Sequence, residues 1–285
     1  MNRIIVLGSS GYLGKSIREK LSKTDHKVLY MVHKKNKIQK NEFFGDVLNK
    51  QSLLKILKNN DLVLNLVGQY TNSSDNFFNT NLFGSYNLLE AAKIKKNIKI
   101  IFASSINVYG NSCNIPFKET NIPNPSTFYG TIKFLTEQLY QKYSEFYDLN
   151  VIILRFSNVY GKNKKCGIIS NIIKSSKKMP VTFTHNGRQQ RDFLYIDDAV
   201  DSIMKAISYP SKNFEIFNIS SNSKITPKQI SKIIENISKI KIHYKLSKNT
   251  PDEKCIWADN SKARIKLKFA PKISFKKGMT MNLSE

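Results

Sequence analysis

Tyr129 and Lys133 are four residues apart, a spacing that sets a phenol and an ammonium on one face of a helix. A free phenol titrates at about 10. A cation beside it stabilises the phenolate and draws that value toward the working range of a general acid or base. Ser105 lies upstream in the string Ser104-Ser105-Ile106-Asn107-Val108-Tyr109-Gly110. Its hydroxyl can hydrogen-bond an oxygen that the phenol protonates or deprotonates. The three together suit proton transfer at a carbon bearing an alcohol or a carbonyl. A Tyr-x-x-x-Lys pair is common on exposed helices, so its chemistry depends on what positions it.

The chain opens on the apolar run Arg3-Ile4-Ile5-Val6-Leu7, followed by Gly8-Ser9-Ser10-Gly11-Tyr12-Leu13-Gly14. Glycine at G-x-x-G-x-x-G spacing permits a tight turn and lets backbone N–H groups reach a pyrophosphate, whose charge a following helix N-terminus favours. With such a seat, a phenol beside an ammonium becomes equipment for moving a hydride and a proton between a dinucleotide and a substrate carbon. An acid at the end of the second strand would hold a free ribose 2′-hydroxyl. Between Asp25 and Glu42 there is no carboxylate, and His33, Lys34, Lys35 and Lys37 follow the second strand. These can meet a 2′-phosphate, which favours NADP(H) over NAD(H), or they form a solvated turn. Asp46, followed by Val47, either accepts from the adenine amino group or caps the next helix.

Strand-like runs at 3–7, 27–32, 61–67, 98–103 and 151–156 alternate with helical stretches at 11–21, 52–57, 77–95 and 129–147. Several strands are apolar on both faces, as in a parallel sheet covered by helices on each side. Repeated units of this kind predict a doubly wound α/β fold. The pattern loosens after Gly161. Runs at 192–196 and 214–219 are expected to return to the sheet, while 227–237 and 260–267 suggest an appended cap. The division expected is 1–165 for the dinucleotide-binding domain, with 190–220 returning to it, and 166–189 with 221–285 for the cap.

The formal charge of +25 invites a nucleic-acid partner, but only six of the 46 basic residues are arginines and the lysines are spread along the chain. Base-specific readers lean on arginine forks and stacking aromatics, so the charge argues for no specific nucleic acid and remains compatible with an anionic substrate. Cys113, Cys166 and Cys255 are few and scattered, which reads as free thiols in a reducing cytoplasm. His26, His33, His185 and His243 show no ligand spacing with them, which argues against a metal. No apolar run approaches the length of a membrane span, and the opening strand argues against a signal peptide.

Nearly end to end, the chain resembles the extended short-chain dehydrogenases/reductases of the NAD-dependent epimerase/dehydratase type, which act on nucleotide-sugars. The resemblance implies a Rossmann sheet with a small C-terminal substrate-binding cap, and it implies roles. Asn65-Leu66-Val67-Gly68 is similar to the family's motif facing the nicotinamide ribose, and Asn81-Leu82-Phe83-Gly84 to the helix bracing the site. Ser105, Tyr129 and Lys133 match the catalytic positions, with Ser104 against the cofactor and Asn107 toward the substrate. In Arg155-Phe156-Ser157-Asn158-Val159-Tyr160-Gly161, Phe156 would lie by the nicotinamide and Asn158 by the nucleotide-sugar. Arg191 matches an arginine that grips a substrate phosphate; its alternative is an ion pair with Asp192 or Asp198. A homodimer through helices 77–95 and 129–147 and a place in surface polysaccharide synthesis are likewise implied.

The departures narrow the reaction. Where the family's 4,6-dehydratases carry Thr-Asp-Glu, this chain has Ser105-Ile106-Asn107, which removes the acid pair that handles water elimination. An arginine frequent near the C-terminus is replaced by Asn249, beside Lys248. With the lysines after the second strand, this favours reduction of a 4-keto-6-deoxy nucleotide-sugar by NADPH. The alternative is a 4-epimerase with tightly bound NAD. A non-catalytic structural or RNA-associated role is more remote, because every catalytic position is filled.

Overall fold

A computed structural model describes residues 3–33, 39–68, 77–111, 115–248 and 255–284. Its elements run β1 (Ile4–Leu7), α1 (Tyr12–Leu21), β2 (Val28–Val32), β3 (Glu42–Phe44), α2 (Lys50–Ile56), β4 (Leu62–Asn65), α3 (Gly84–Ala92) and β5 (Lys99–Ser105). Next come α4 (Phe128–Tyr147), β6 (Asn150–Phe156), β7 (Asn158–Tyr160), α5 (Ile168–Ile173), β8 (Val181–Phe183), β9 (Gln190–Arg191) and β10 (Phe193–Tyr195). The chain closes with α6 (Ile196–Ser208), β11 (Phe214–Ile219), α7 (Pro227–Ser238), β12 (Tyr244–Leu246), β13 (Cys255–Ile256), α8 (Ser261–Lys266) and α9 (Phe275–Leu283).

Seven strands form one parallel sheet in the order β11-β6-β5-β4-β1-β2-β3. Alternate residues serve opposite faces. Ile4, Val6, Leu62, Leu64, Ile152 and Leu154 pack with α1 and α6 on one side. Ile5, Leu7, Val63, Ile100, Val151 and Ile153 pack with α2, α3 and α4 on the other. Both faces are dry, which is why these strands read as continuous apolar runs. The strand order reverses between β1 and β4, and a doubly wound sheet opens its crevice at such a point, beyond the strands' C-terminal ends.

A third core joins β7, β8, β10, α5, α7 and α9 through Tyr160, Ile172, Phe183, Phe193, Tyr195, Ile230, Ile234 and Met279. Here the structure departs from the expected elements. The run at 192–196 does not return to the main sheet. Its central strand, β10, pairs with β7, which has already left the sheet edge after Ser157. Leu194 still points into the main core while Phe193 and Tyr195 face the third one, so this ribbon seams the two. The segment 260–267, expected in the cap, sends Ala263 and Leu267 into the main core with β11's Phe217 and Ile219. Strand β3 was not anticipated: three residues long at the sheet edge and partly exposed, it has no apolar period to read. The single helix expected over 77–95 carries a π turn, Asn79–Phe83, before α3.

Candidate active site

The turn after β1 is shaped by what its glycines lack. Gly8 has φ +79°, and a Cβ there would lie 2.7 Å from the Leu66 carbonyl carbon, so the turn nests against the segment leaving β4. A Cβ on Gly14 would sit 2.1 Å from Gly8 O, so α1 packs directly on the turn. Gly11 is the N-cap of α1 and brings no side chain to its free N–H groups. Ser9 donates to Met31 O at 2.7 Å, tying the turn to β2. A helix N-terminus opening through bare backbone into a cleft fits a dinucleotide pyrophosphate.

Tyr129 and Lys133 approach from the opposite wall. Thr127 caps α4 by accepting from Gly130 N at 3.1 Å. A Cβ on Gly130 would lie 2.4 Å from Asn107 O, so the glycine after Tyr129 lets the helix start abut the turn that carries Ser105. Ser105 Oγ accepts from Asn107 N at 3.2 Å, which orients the hydroxyl at the strand end. Lys133 Nζ donates to Ala103 O at 2.9 Å and lies 6.0 Å from the centre of the Tyr129 ring. Burial pulls its ammonium down to about 8, and the Glu137 carboxylate one turn along works against that fall. A Cβ on Gly68 would be 3.2 Å from both Asn81 Oδ1 and Lys133 Nζ, so β4, the π turn and α4 converge there. The π turn aims Asn81 inward while its Nδ2 donates to Phe77 O at 2.9 Å.

A cleft of about 720 Å³ joins the turn to the third core. Of the residues expected at a site, Gly11, Tyr12, Leu13, Leu66, Val67, Gly68, Ser104, Ser105, Asn107, Tyr129, Lys133, Phe156, Asn158 and Arg191 line it. Gly8 and Gly14 lie beneath the turn, and Asn81 lies buried behind Gly68. His33 is exposed just past β2, and Lys34 lies outside the described residues. Asp46 does not cap α2. It accepts from Leu48 N at 2.9 Å, and Asn49 caps the helix by accepting from Gln51 N and Ser52 N. Val47 is buried against α3, where a Cβ on Gly84 would come within 2.7 Å of its Cγ2.

The carboxylates that offered Arg191 an ion pair are otherwise engaged. Asp192 Oδ1 accepts from Ser221 N and Oγ, and Asp198 accepts from Lys272 N and Ile273 N. Asn158 Nδ2 donates to Asp192 O at 3.0 Å, so β7 delivers it to the cleft beside β9's Arg191. Sequence reasoning missed Lys164, Lys165 and Lys174, which line the cleft from the loop after Gly161 and from α5's end. No period marks a loop lysine in so lysine-rich a chain. It also missed Glu137, whose i+4 position to Lys133 was the available signal.

A phosphate-seating turn at the sheet's reversal point, facing a phenol and an ammonium, defines a dinucleotide-dependent enzyme that moves hydrides. The chain belongs to the NAD dependent epimerase/dehydratase family, whose model matches residues 4–220. Its cofactor is therefore a nicotinamide dinucleotide, and the turn's bare backbone fits one. It is 32% identical over 82% of its length to a putative UDP-glucose 4-epimerase of Methanocaldococcus jannaschii, 81% of which is covered. It is 29% identical over 100% of its length to a UDP-glucuronate 4-epimerase of Thermodesulfobacterium geofontis, 97% covered. The crystal structure of a UDP-glucuronic acid 4-epimerase from Bacillus cereus, in complex with UDP-glucuronic acid and NAD, superposes with a TM-score of 0.88 at 26% identity, over 98% of this chain and 97% of that one.

Proposed function

We propose that this enzyme is a nucleotide-sugar 4-epimerase working with NAD, and that the reduction favoured by the lysines after β2 is not its reaction. The observation that carries this reading is the cleft itself. One continuous space brings the Gly11 turn, the Tyr129–Lys133 pair and Arg191 together, and the position of a dehydratase's acid pair is filled otherwise. Ile106 is buried in a small core with Val108, Tyr109 and Phe117, and Asn107 lines the cleft as a neutral amide. Among the described lining residues there is no carboxylate to drive water elimination. The relatives support epimerisation over reduction, and Lys34 and Lys35, which suggested NADP, lie outside the described residues.

When bound, NAD supplies a site that accepts the C4 hydride and returns it. Tyr129 takes the proton from the C4 hydroxyl as general base and, once the keto-sugar has turned its other face to the dinucleotide, returns it to the C4 oxygen as general acid. Lys133 stabilises the phenolate from one helical turn away, and Ser105 hydrogen-bonds the C4 oxygen through both half-reactions. Arg191 and Asn158 hold the nucleotide diphosphate while the keto-sugar turns over, the guanidinium fork suiting a bidentate anion. Asn81, behind Gly68, keeps Lys133 in register.

Two further parts of the proposal concern the whole chain. The exposed Phe83, Tyr86 and Ile94 near and beyond α3, with Leu135, Phe146 and Tyr147 on α4, make an apolar face suited to a homodimer. No helix among the described residues is long and apolar enough to cross a membrane, and the exposed Cys166 thiol suits a cytoplasmic protein.

The test is incubation of the purified protein with UDP-glucose, UDP-N-acetylglucosamine and UDP-glucuronate without added NADPH, followed by proton NMR. The expected result is the C4 epimer of at least one, with NAD released on denaturation. Stoichiometric oxidation of NADPH by a 4-keto-6-deoxy nucleotide-sugar, with no epimer from any of the three, would overturn it.

A further inference from the structure

Glu137 lies one helical turn beyond Lys133 and is almost fully enclosed, with 1% of its side chain exposed. Its Oε1 accepts from the Ser104 hydroxyl at the end of β5. Arg155 of β6 grips the same carboxylate, Nε reaching Oε1 and Oε2 at 3.1 Å each and Nη2 reaching Oε2 at 2.6 Å. Arg155 in turn lies 4.7 Å over the Tyr109 ring, whose hydroxyl donates to Asn218 Oδ1 of β11 at 2.8 Å. A buried ion pair loses much of its attraction to desolvation, and an apolar pair would fill the same space. What an apolar pair would not supply is a fixed charge beside Lys133.

Among the described residues, the groups in direct contact with the Lys133 ammonium are neutral. The ammonium faces Ala103 O and the Phe102 ring on β5 and Tyr129 on its own helix, and Asn81 of the π turn borders the same Gly68 position. Tyr140, further along α4, accepts from Asn65, and Arg155 and Tyr109 stand behind Glu137. Ser104 is adjacent to Ser105 and follows the residue whose carbonyl takes the Lys133 proton donor. Strand β5 is therefore tied to α4 twice, through Lys133 to Ala103 and through Ser104 to Glu137.

We infer that Glu137 is a positioning residue: clamped by Arg155, it fixes the strand end carrying Ser105 against the helix carrying Tyr129 and Lys133, and it sets a fixed negative charge one helical turn from Lys133. This rests on reading Tyr129 and Lys133 as the proton-transfer pair. Charge and tie separate by substitution. Glu137→Gln keeps an acceptor for Ser104 and removes the charge. Ser104→Ala removes the tie and keeps the charge. Because Glu137→Gln strands a buried guanidinium, the double variant Glu137→Gln/Arg155→Met serves as its partner.

The readout that needs no substrate is the pH titration of Lys133, followed by carbon-detected NMR on lysine-labelled protein and assigned by the loss of its signal in Lys133→Met. In both acid-free variants that titration is expected to move down by about one unit. The alkaline limb of the turnover profile moves with it, and kcat falls about tenfold with KM little changed. Ser104→Ala should lower turnover and leave the titration in place. A folded acid-free variant whose Lys133 titrates as in the wild type overturns the inference, and so does loss of fold in both acid-free variants, which would leave Glu137 a structural residue. If no nucleotide-sugar is turned over, the titration still decides the role of Glu137, so the two readings fail separately.

Discussion

Loss of the Tyr129 phenol should stop the reaction without disturbing the fold. Tyr129→Phe keeps the ring that stands 6.4 Å from Phe77 and removes only the oxygen. Turnover is expected to fall by about 10²–10⁴-fold, with dinucleotide content and melting temperature unchanged; a fully active variant would remove Tyr129 from the chemistry. Lys133 carries a pH signature. Its buried ammonium loses its proton at about 8, so activity should decline as pH rises through that value. The sign for stability runs the other way. A lysine depressed in the folded state gains a proton on unfolding, so its burial penalises the fold at neutral pH, and the penalty fades between about 8 and 10. Lys133→Met should therefore be inactive and yet melt no lower than the wild type at pH 7. The relief is worth up to about 3 kcal/mol, less the lost bond to Ala103 O, and the advantage should vanish above about pH 10 in a calorimetric series.

At the scale of elements, the glycine turn separates folding from binding. A methyl on Gly14 meets backbone at 2.1 Å and must push α1 off the turn. Gly14→Ala is expected to destabilise the protein by about 1–3 kcal/mol and to empty it of dinucleotide. On Gly11 the new Cβ meets Gly8 O at 3.2 Å and otherwise faces the cleft. Gly11→Ala should thus melt within a few degrees of the wild type while binding NAD far more weakly by titration calorimetry; equal losses of stability would refute this division. These roles were legible because a turn, a strand and a helix follow one another in sequence. The π turn was not legible. Residues 77–95 carry one apolar period, and the extra residue per turn at Asn79–Phe83 leads into Gly84, which packs closely on Val47.

For the whole molecule, the apolar side chains exposed along α3 and α4 predict a dimer. Sedimentation equilibrium should report twice the chain mass for the wild type and one chain for Leu135→Glu/Phe146→Glu. A monomeric wild type would mean that this face meets something other than a second copy. The net charge of +25 belongs to this scale as well. It is spread over the surface as lysine and sets solubility and weak attraction to polyanions, whereas the site draws on a few cations gathered in one cleft.

The sequence by itself determined the sheet's central strands, the glycine turn after β1 and the pairing of Tyr129 with Lys133. Each of these is encoded in residues adjacent in the chain or one helical turn apart, where local period and backbone permission are enough. Only the tertiary structure decided the rest. It carried β10 off the main sheet to pair with β7, returned α8 to the first core, and brought Arg191, Asn158 and the loop lysines to the same cleft as Tyr129. It also joined Glu137 to Arg155 and Ser104 across three elements. Contacts between residues far apart in sequence leave no period to read, because their partners are chosen by which surfaces remain to be buried once the sheet has formed.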